Sequence, residues 1–149
     1  MTRKRTPRWS AMPPAGLCPK LKPDQVRDLS LCHNEHLDAI AKGTATEATL
    51  WQFVGGTLTW SKVAELLHLG EPEIARQLDL AMALIARHGR TGRVLFTGSE
   101  YQLAKEGVLV MDQLAEIVDR HTAIAAAEWS ERRLNDLEAG RRRAQPEAA

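Results

Sequence analysis

Residues 63–81 read VAELLHLGEPEIARQLDLA, and the fold turns on how this stretch is taken. Val63, Ala64, Leu67, Leu69, Ile74, Leu78 and Ala81 recur at helical spacing on both sides of a Gly70-Glu71-Pro72 interruption. Apolar residues three and four apart mark one face of a helix, and proline suits a first turn, where its missing N–H costs nothing. The stretch is therefore two helices and a turn. An aliphatic-Ala-x-x-Leu opening, a short turn, then an aliphatic residue and a Leu four positions on is also the register of a DNA-reading helix-turn-helix. In that arrangement Ala64 is the small crossing residue, Gly70 opens the turn, and Ile74 and Leu78 face inward. Glu71, Glu73, Arg76, Gln77 and Asp79 would then face the groove. Arg76 and Gln77 suit guanine and adenine edges, but three acids among the five oppose approach to phosphates. Every matched position is also one that a tight helical hairpin needs. The expectation is a helix-turn-helix-like hairpin that serves packing, with Arg76 and Gln77 as the candidate base contacts.

Upstream, Pro23 and Asp24 start a helix that runs to Ala41 and ends at Gly43. Thr46 caps the next, with Glu47 in its first turn and Leu50, Phe53, Val54 and Leu58 on one face. Gly55 and Gly56 either break that segment or let a neighbouring helix approach closely. A further helix opens near Ser61 and runs to Leu69; the one begun at Pro72 is stopped by Gly89. Downstream, Arg93 to Phe96 reads as an extended connector, and Ser99 with Gln102 forms a capping-box pair. The last helix then runs to about Ala139, with Gly107, Met111, Leu114, Val118, His121 and Ala125 as its stripe. At about 40 residues it exceeds the usual globular helix, which points to a spine or to pairing with another chain. Only seven of the 149 residues are aromatic, so the core must be Leu, Ala, Val and Ile. The class is all-α: a small helical bundle with a long C-terminal helix.

The net charge of +1 hides a division along the chain. Residues 1–22 carry Arg3, Lys4, Arg5, Arg8, Lys20 and Lys22 and no acid, the composition of a disordered or loosely docked basic arm. The helical domain, 23–139, is acidic, and 140–149 forms a basic flexible tail with Arg141, Arg142 and Arg143. Two cysteines, Cys18 and Cys32, make no disulfide framework. Pro7, Pro13 and Pro14 interrupt the N-terminus where a signal peptide needs an apolar run, and no stretch approaches the roughly 18 apolar residues of a membrane span. The expected location is the cytoplasm, away from membrane.

MPPAGLCPKLKPDQ (12–25), GRTGRVLFTGSEYQ (89–102) and MDQLAEIVDRHTAIAAAEWSE (111–131) resemble stretches of short, largely uncharacterised helical proteins of bacterial plasmids, prophages and integrative elements. Such proteins often carry the label of Fis-like transcriptional regulators. The resemblance covers most of the chain and implies a mobile-element accessory protein. It brings no catalytic or binding residues to carry over.

Chemistry-bearing clusters are sparse. Cys32, His33 and His36 sit at helical spacing, but they match neither a haem motif nor the HExxH zinc motif, and further ligands are lacking. No metal or other cofactor is expected. Arg90 and Arg93 flank a turn near a helix start and could hold a phosphate, or Arg90 could cap the preceding helix. No histidine or carboxylate stands in a catalytic motif, so an enzyme is not expected. Trp9 among Arg3, Lys4, Arg5 and Arg8 could follow a phosphate backbone, giving non-specific DNA contact, or simply be a solvated tail. Beyond Ala125 the last helix has little intrachain surface left for Trp129 and Leu137, which points to a homodimer or a protein partner there. The leading expectation is a non-catalytic accessory or regulatory protein that contacts nucleic acid through its arm. The alternative is a protein–protein adaptor or inhibitor that uses the acidic helical body.

Overall fold

Pro23 occupies the first turn of α1 (Pro23–Lys42), which closes on Gly43 at φ 74°, the left-handed conformation that glycine supplies at a helix end. The computed structural model describes residues 19–144, and every regular element among them is helical. The architecture is all-α, a five-helix bundle of α1, α2 (Glu47–Leu66), α3 (Pro72–Thr91), α4 (Gly98–Ile117) and α5 (Arg120–Ala144). Thr46 caps α2 as its sequence predicts, its hydroxyl accepting from the Thr49 N–H.

Helix α2 is one continuous element and not the two segments expected. It is the axis of the bundle: α1, α3 and α5 all pack on it, while α4 lies against α1 and α3. The glycine pair serves the second of its two readings. Leu134 of α5 stands 3.3 Å from the place a Gly55 Cβ would take, so glycine lets α5 come close. Helices α2 and α5 run antiparallel: below Gly55–Leu134, the Thr59 and Ser130 hydroxyls meet at 2.6 Å, and Lys62 Nζ lies 4.9 Å from the Trp129 ring centre. At the other end, Arg141 stacks over Trp51 and contacts His88.

The turn at 67–71 is a Schellman closure in which the Leu69 N–H bonds the Ala64 carbonyl and the His68 N–H that of Glu65. His68, at φ 56°, takes the left-handed position, and Gly70, expected to open the turn, does not need its freedom. Helix α3 continues past Gly89 to Gly92, which takes φ 71°. The 93–97 connector is extended as expected and is tied down by Arg87. That guanidinium grips both oxygens of Glu100 at 2.7 and 2.8 Å and donates to the Leu95 carbonyl. Val94 is buried beneath, and Phe96 sets its ring against Phe53. The capping box of α4 is Thr97 with Glu100, two residues earlier than the Ser99–Gln102 pair. The reason is that Glu100 is already positioned by Arg87.

The long C-terminal helix breaks at Val118, which is extended and buried, and restarts under an Asp119 cap. Asp119 accepts from the Thr122 N–H at 3.0 Å and from its hydroxyl at 2.6 Å. Pro19 accepts the Arg120 N–H, and Lys20 bridges Asp119, so these two residues of the expected arm are pinned to the break. Helix α5 then runs through Arg141, Arg142 and Arg143, which the sequence placed in a flexible tail. None of the described helices is long and apolar enough to cross a membrane. Replacing His68 by glycine relieves a left-handed residue whose strain is about 1–2 kcal/mol, less glycine's entropic cost. A rise in the urea midpoint equivalent to roughly 0.5–1 kcal/mol is expected.

Candidate functional site

A polar seam runs through the bundle's interior. Gln77 is fully buried, its amide nitrogen donating to the Thr57 hydroxyl at 3.0 Å and lying 3.2 Å from the Met111 sulfur. Its carboxamide rests against Gly107 of α4, where a Cβ would overlap it. Gln77 is therefore not on the surface of α3 as a base-reading residue must be. Burying an amide is costly unless it is hydrogen-bonded, and this one ties α3 to α2 and α4 instead.

Beside it, His33 of α1 accepts at Nε2 from the Trp60 indole at 3.0 Å. That bond needs a lone pair on Nε2, so the neutral ring carries its proton on Nδ1. Nδ1 faces Asp112 Oδ1 of α4 at 3.8 Å. Burial holds His33 below its ordinary value of 6.5 against the opposing pull of Asp112, and the neighbouring His36 adds to the fall. His36 is lowered as well, by burial, with Gln52 and Glu35 opposing. A cavity of about 10 Å³ between His33, His36, Gln77 and Met111 has room for roughly one water.

The remaining sequence candidates separate. Arg76 is exposed on α3 between Glu73 and Asp79, one turn away on either side. Arg90 and Arg93 are exposed around Gly92. At the nearby α4 start, Glu100 accepts the Thr97 N–H and Thr97 accepts that of Glu100, so these two donors are already satisfied within the helix end. Trp129 and Leu137 are half-buried and pack on the core, because α2 offers α5 the surface that the sequence did not foresee. Cys32 is exposed while His33 turns inward, which parts the would-be ligands. No group of three or more potential ligands surrounds a metal-sized site among the described residues. Arg3, Lys4, Arg5 and Arg8 lie outside the described residues.

The surface feature that sequence reasoning missed is a groove between α1 and α4. One part, of about 570 Å³, is lined by Leu21, Val26, Arg27, Leu31, Asp112 and Glu116. A second, of about 350 Å³, continues from Leu31 past Glu35 and Asp38 to Tyr101. The two helices run antiparallel here, since the start of α1 meets the end of α4. Leu31 is 55% exposed on one wall. Leu109 of α4, 58% exposed, lies outside the residues that line either part. Periodicity sets Leu31 off the His33, Leu37 and Ile40 face of α1 and Leu109 off the Gly107, Met111 and Leu114 face of α4. A leucine outside its helix's apolar stripe was thus the available signal.

No family model, curated protein or solved structure matches this chain.

Two outcomes test the polar seam. Gly107→Ala should cost about 1–3 kcal/mol in urea unfolding, as overpacking does, and Gln77→Ala should recover part of that in the double variant. Both histidines bind fewer protons folded than unfolded, so stability is full above their unfolded value near 6.5 and falls as pH drops below it. Urea midpoints at about pH 7.5 and 5.5 should show the fall, and His33→Gln should make it shallower.

Proposed function

We propose that this chain is a non-catalytic adaptor or inhibitor that works by docking a partner protein on its acidic helical body. The observation that supports this reading is the division of charge over the bundle. Helices α1 and α4, packed side by side, hold eight acids against three bases, whereas α5 holds four against six. A face of that sign repels nucleic-acid phosphate and attracts cationic protein surface. The burial of Gln77 also leaves a base-reading α3 with Arg76 alone among its two candidates. The setting implied by the sequence resemblance, an accessory protein of a bacterial mobile element acting in the cytoplasm, is compatible with such a role.

The second reading is nucleic-acid contact, with the α2–α3 hairpin as a helix-turn-helix-like element. What favours it is the exposure of Arg76, Arg90 and Arg93, to which Arg3, Lys4, Arg5 and Arg8 would add. The two readings separate by affinity capture from host cytoplasm with and without nuclease. Capture of a protein that persists after nuclease is the expected result; capture abolished by nuclease would sink the adaptor reading. In parallel, random duplex DNA should bind weakly. If the arm carries that binding, replacing Arg3, Lys4, Arg5 and Arg8 by alanine should flatten the slope of log affinity against log salt, by about 0.9 for each phosphate those side chains neutralise.

A further inference from the structure

We propose that the α1–α4 groove is the docking site for a basic amphipathic helix of a partner protein. The inference rests on the adaptor reading and assigns it a place and a partner chemistry. Leu31, with Val26 and Tyr101, would take the helix's apolar stripe, and Asp112, Glu116 and Glu35 would meet its lysines or arginines.

Three observations carry it. The first is exposure. More than half of Leu31 faces solvent in a bundle that buries Leu37, Leu50, Leu58, Leu80, Leu84 and Leu114 almost completely. Such a side chain on a concave surface, with Val26 and Tyr101 along the same groove, is a ready apolar seat.

The second is shape. The groove extends along α1 from Val26 to Asp38, about 18 Å at 1.5 Å per residue. That is about three turns of a docked helix, the span of an i, i+3/i+4, i+7 set of anchors. Tyr101, 38% exposed, closes the far end, and its ring with its hydroxyl suits the rim of a helix groove.

The third is charge. Asp112 and Glu116 line one end, Glu35 and Asp38 the other, and among these only Asp38 has an ion pair to a lysine, Lys42 at 2.8 Å. Asp112 turns Oδ1 inward toward His33, where it has no hydrogen-bond partner among the described residues, and its remaining exposure lies on the groove side. A lysine or arginine entering there would neutralise a carboxylate held against the core. Arg27 on the same wall opposes a base at one end, and exposed Lys105, one turn after Tyr101 on α4, opposes one near the other. The carboxylates between them thus select where the partner's bases can lie. The same charges weigh against a nucleic acid or an anionic lipid surface as occupant.

The test uses the full chain and two synthetic 18-residue peptides of identical lysine and leucine content. One places leucine at helical i, i+3/i+4, i+7 spacing; the other scrambles the order so that no apolar stripe forms. Affinity is read by fluorescence anisotropy and the contact surface by amide chemical shifts. The striped peptide should bind at least about tenfold more tightly than the scrambled one, shifting residues around Leu31, Tyr101 and Asp112. Leu31→Ser should weaken it by about tenfold or more, with circular dichroism unchanged because the side chain faces solvent. Ile124→Ser, at an equally exposed aliphatic position on α5, should leave binding as it was. Asp112→Asn with Glu116→Gln should weaken binding and flatten its salt dependence.

Equal binding of the two peptides, or no binding by either, overturns the proposal. So does a free-protein dimer that Leu31→Ser dissociates, which would assign the groove to a second copy. Binding that Leu31→Ser leaves unchanged places the site elsewhere, defeating this inference while the adaptor reading stands. Nuclease-sensitive capture, by contrast, defeats the adaptor reading itself.

Discussion

The contact between the Gln77 carboxamide and the bare backbone of Gly107 sets the spacing of α3 and α4. Any side chain at 107 would overlap the amide, so the two helices can reach their present separation only through glycine. The amide in turn donates to Thr57 of α2 and touches Met111. Three helices thus meet at one polar group, and a fourth joins one turn further on, where His33 of α1 accepts from Trp60 of α2 and faces Asp112 of α4. Aliphatic packing supplies most of the favourable free energy of such a bundle, but it tolerates many rotations and slides. A buried amide and a buried imidazole do not, because each loses its partner if a helix shifts.

This seam also explains the outer surface. With Asp112 oriented inward by His33, Glu116 on the next turn of α4 lines the groove toward the edge of α1. Helix α1 answers with Leu31 and Glu35. The groove is thus a consequence of how the interior is tied, and its acidity follows from the charges that α1 and α4 bring to one side. On the opposite arm of the bundle, α5 packs on α2 through Gly55, Thr59 and Lys62, and Trp129 lies half-buried against the Lys62 ammonium.

The legible part of the fold was what local chemistry dictates. Pro23 and Gly43 bounded α1, Thr46 began α2, Pro72 began α3, and the 93–97 connector stood out by its lack of helical pattern. Misreadings arose where a local signal had a non-local cause. Gly55 and Gly56 read as a possible break, yet their meaning depended on α5 arriving alongside. Ser99 and Gln102 made a plausible cap, but Arg87, on another helix, fixed Glu100 and so chose Thr97. The stripe from Gly107 to Val118 continued in register to His121, and the break is marked by the Asp119–Thr122 cap, which that periodicity does not register.

By itself, then, the sequence determined the all-α class, most helix boundaries, the aliphatic core and the uneven charge, because propensity, capping and periodicity act within a few residues. Helical spacing puts Gln77 beside Ile74 and Ala81 and Arg76 opposite them. Only tertiary structure decided that a polar side chain could be interior there, because Thr57 of α2 and Gly107 of α4 receive it. It also decided that Trp129 is half-buried on α2 while Leu31 stands open in a groove. Periodicity tells which residues share a face, but not which neighbour that face will meet. That depends on contacts among residues far apart in the chain, and so the candidate surface emerged only when α1 and α4 were brought side by side.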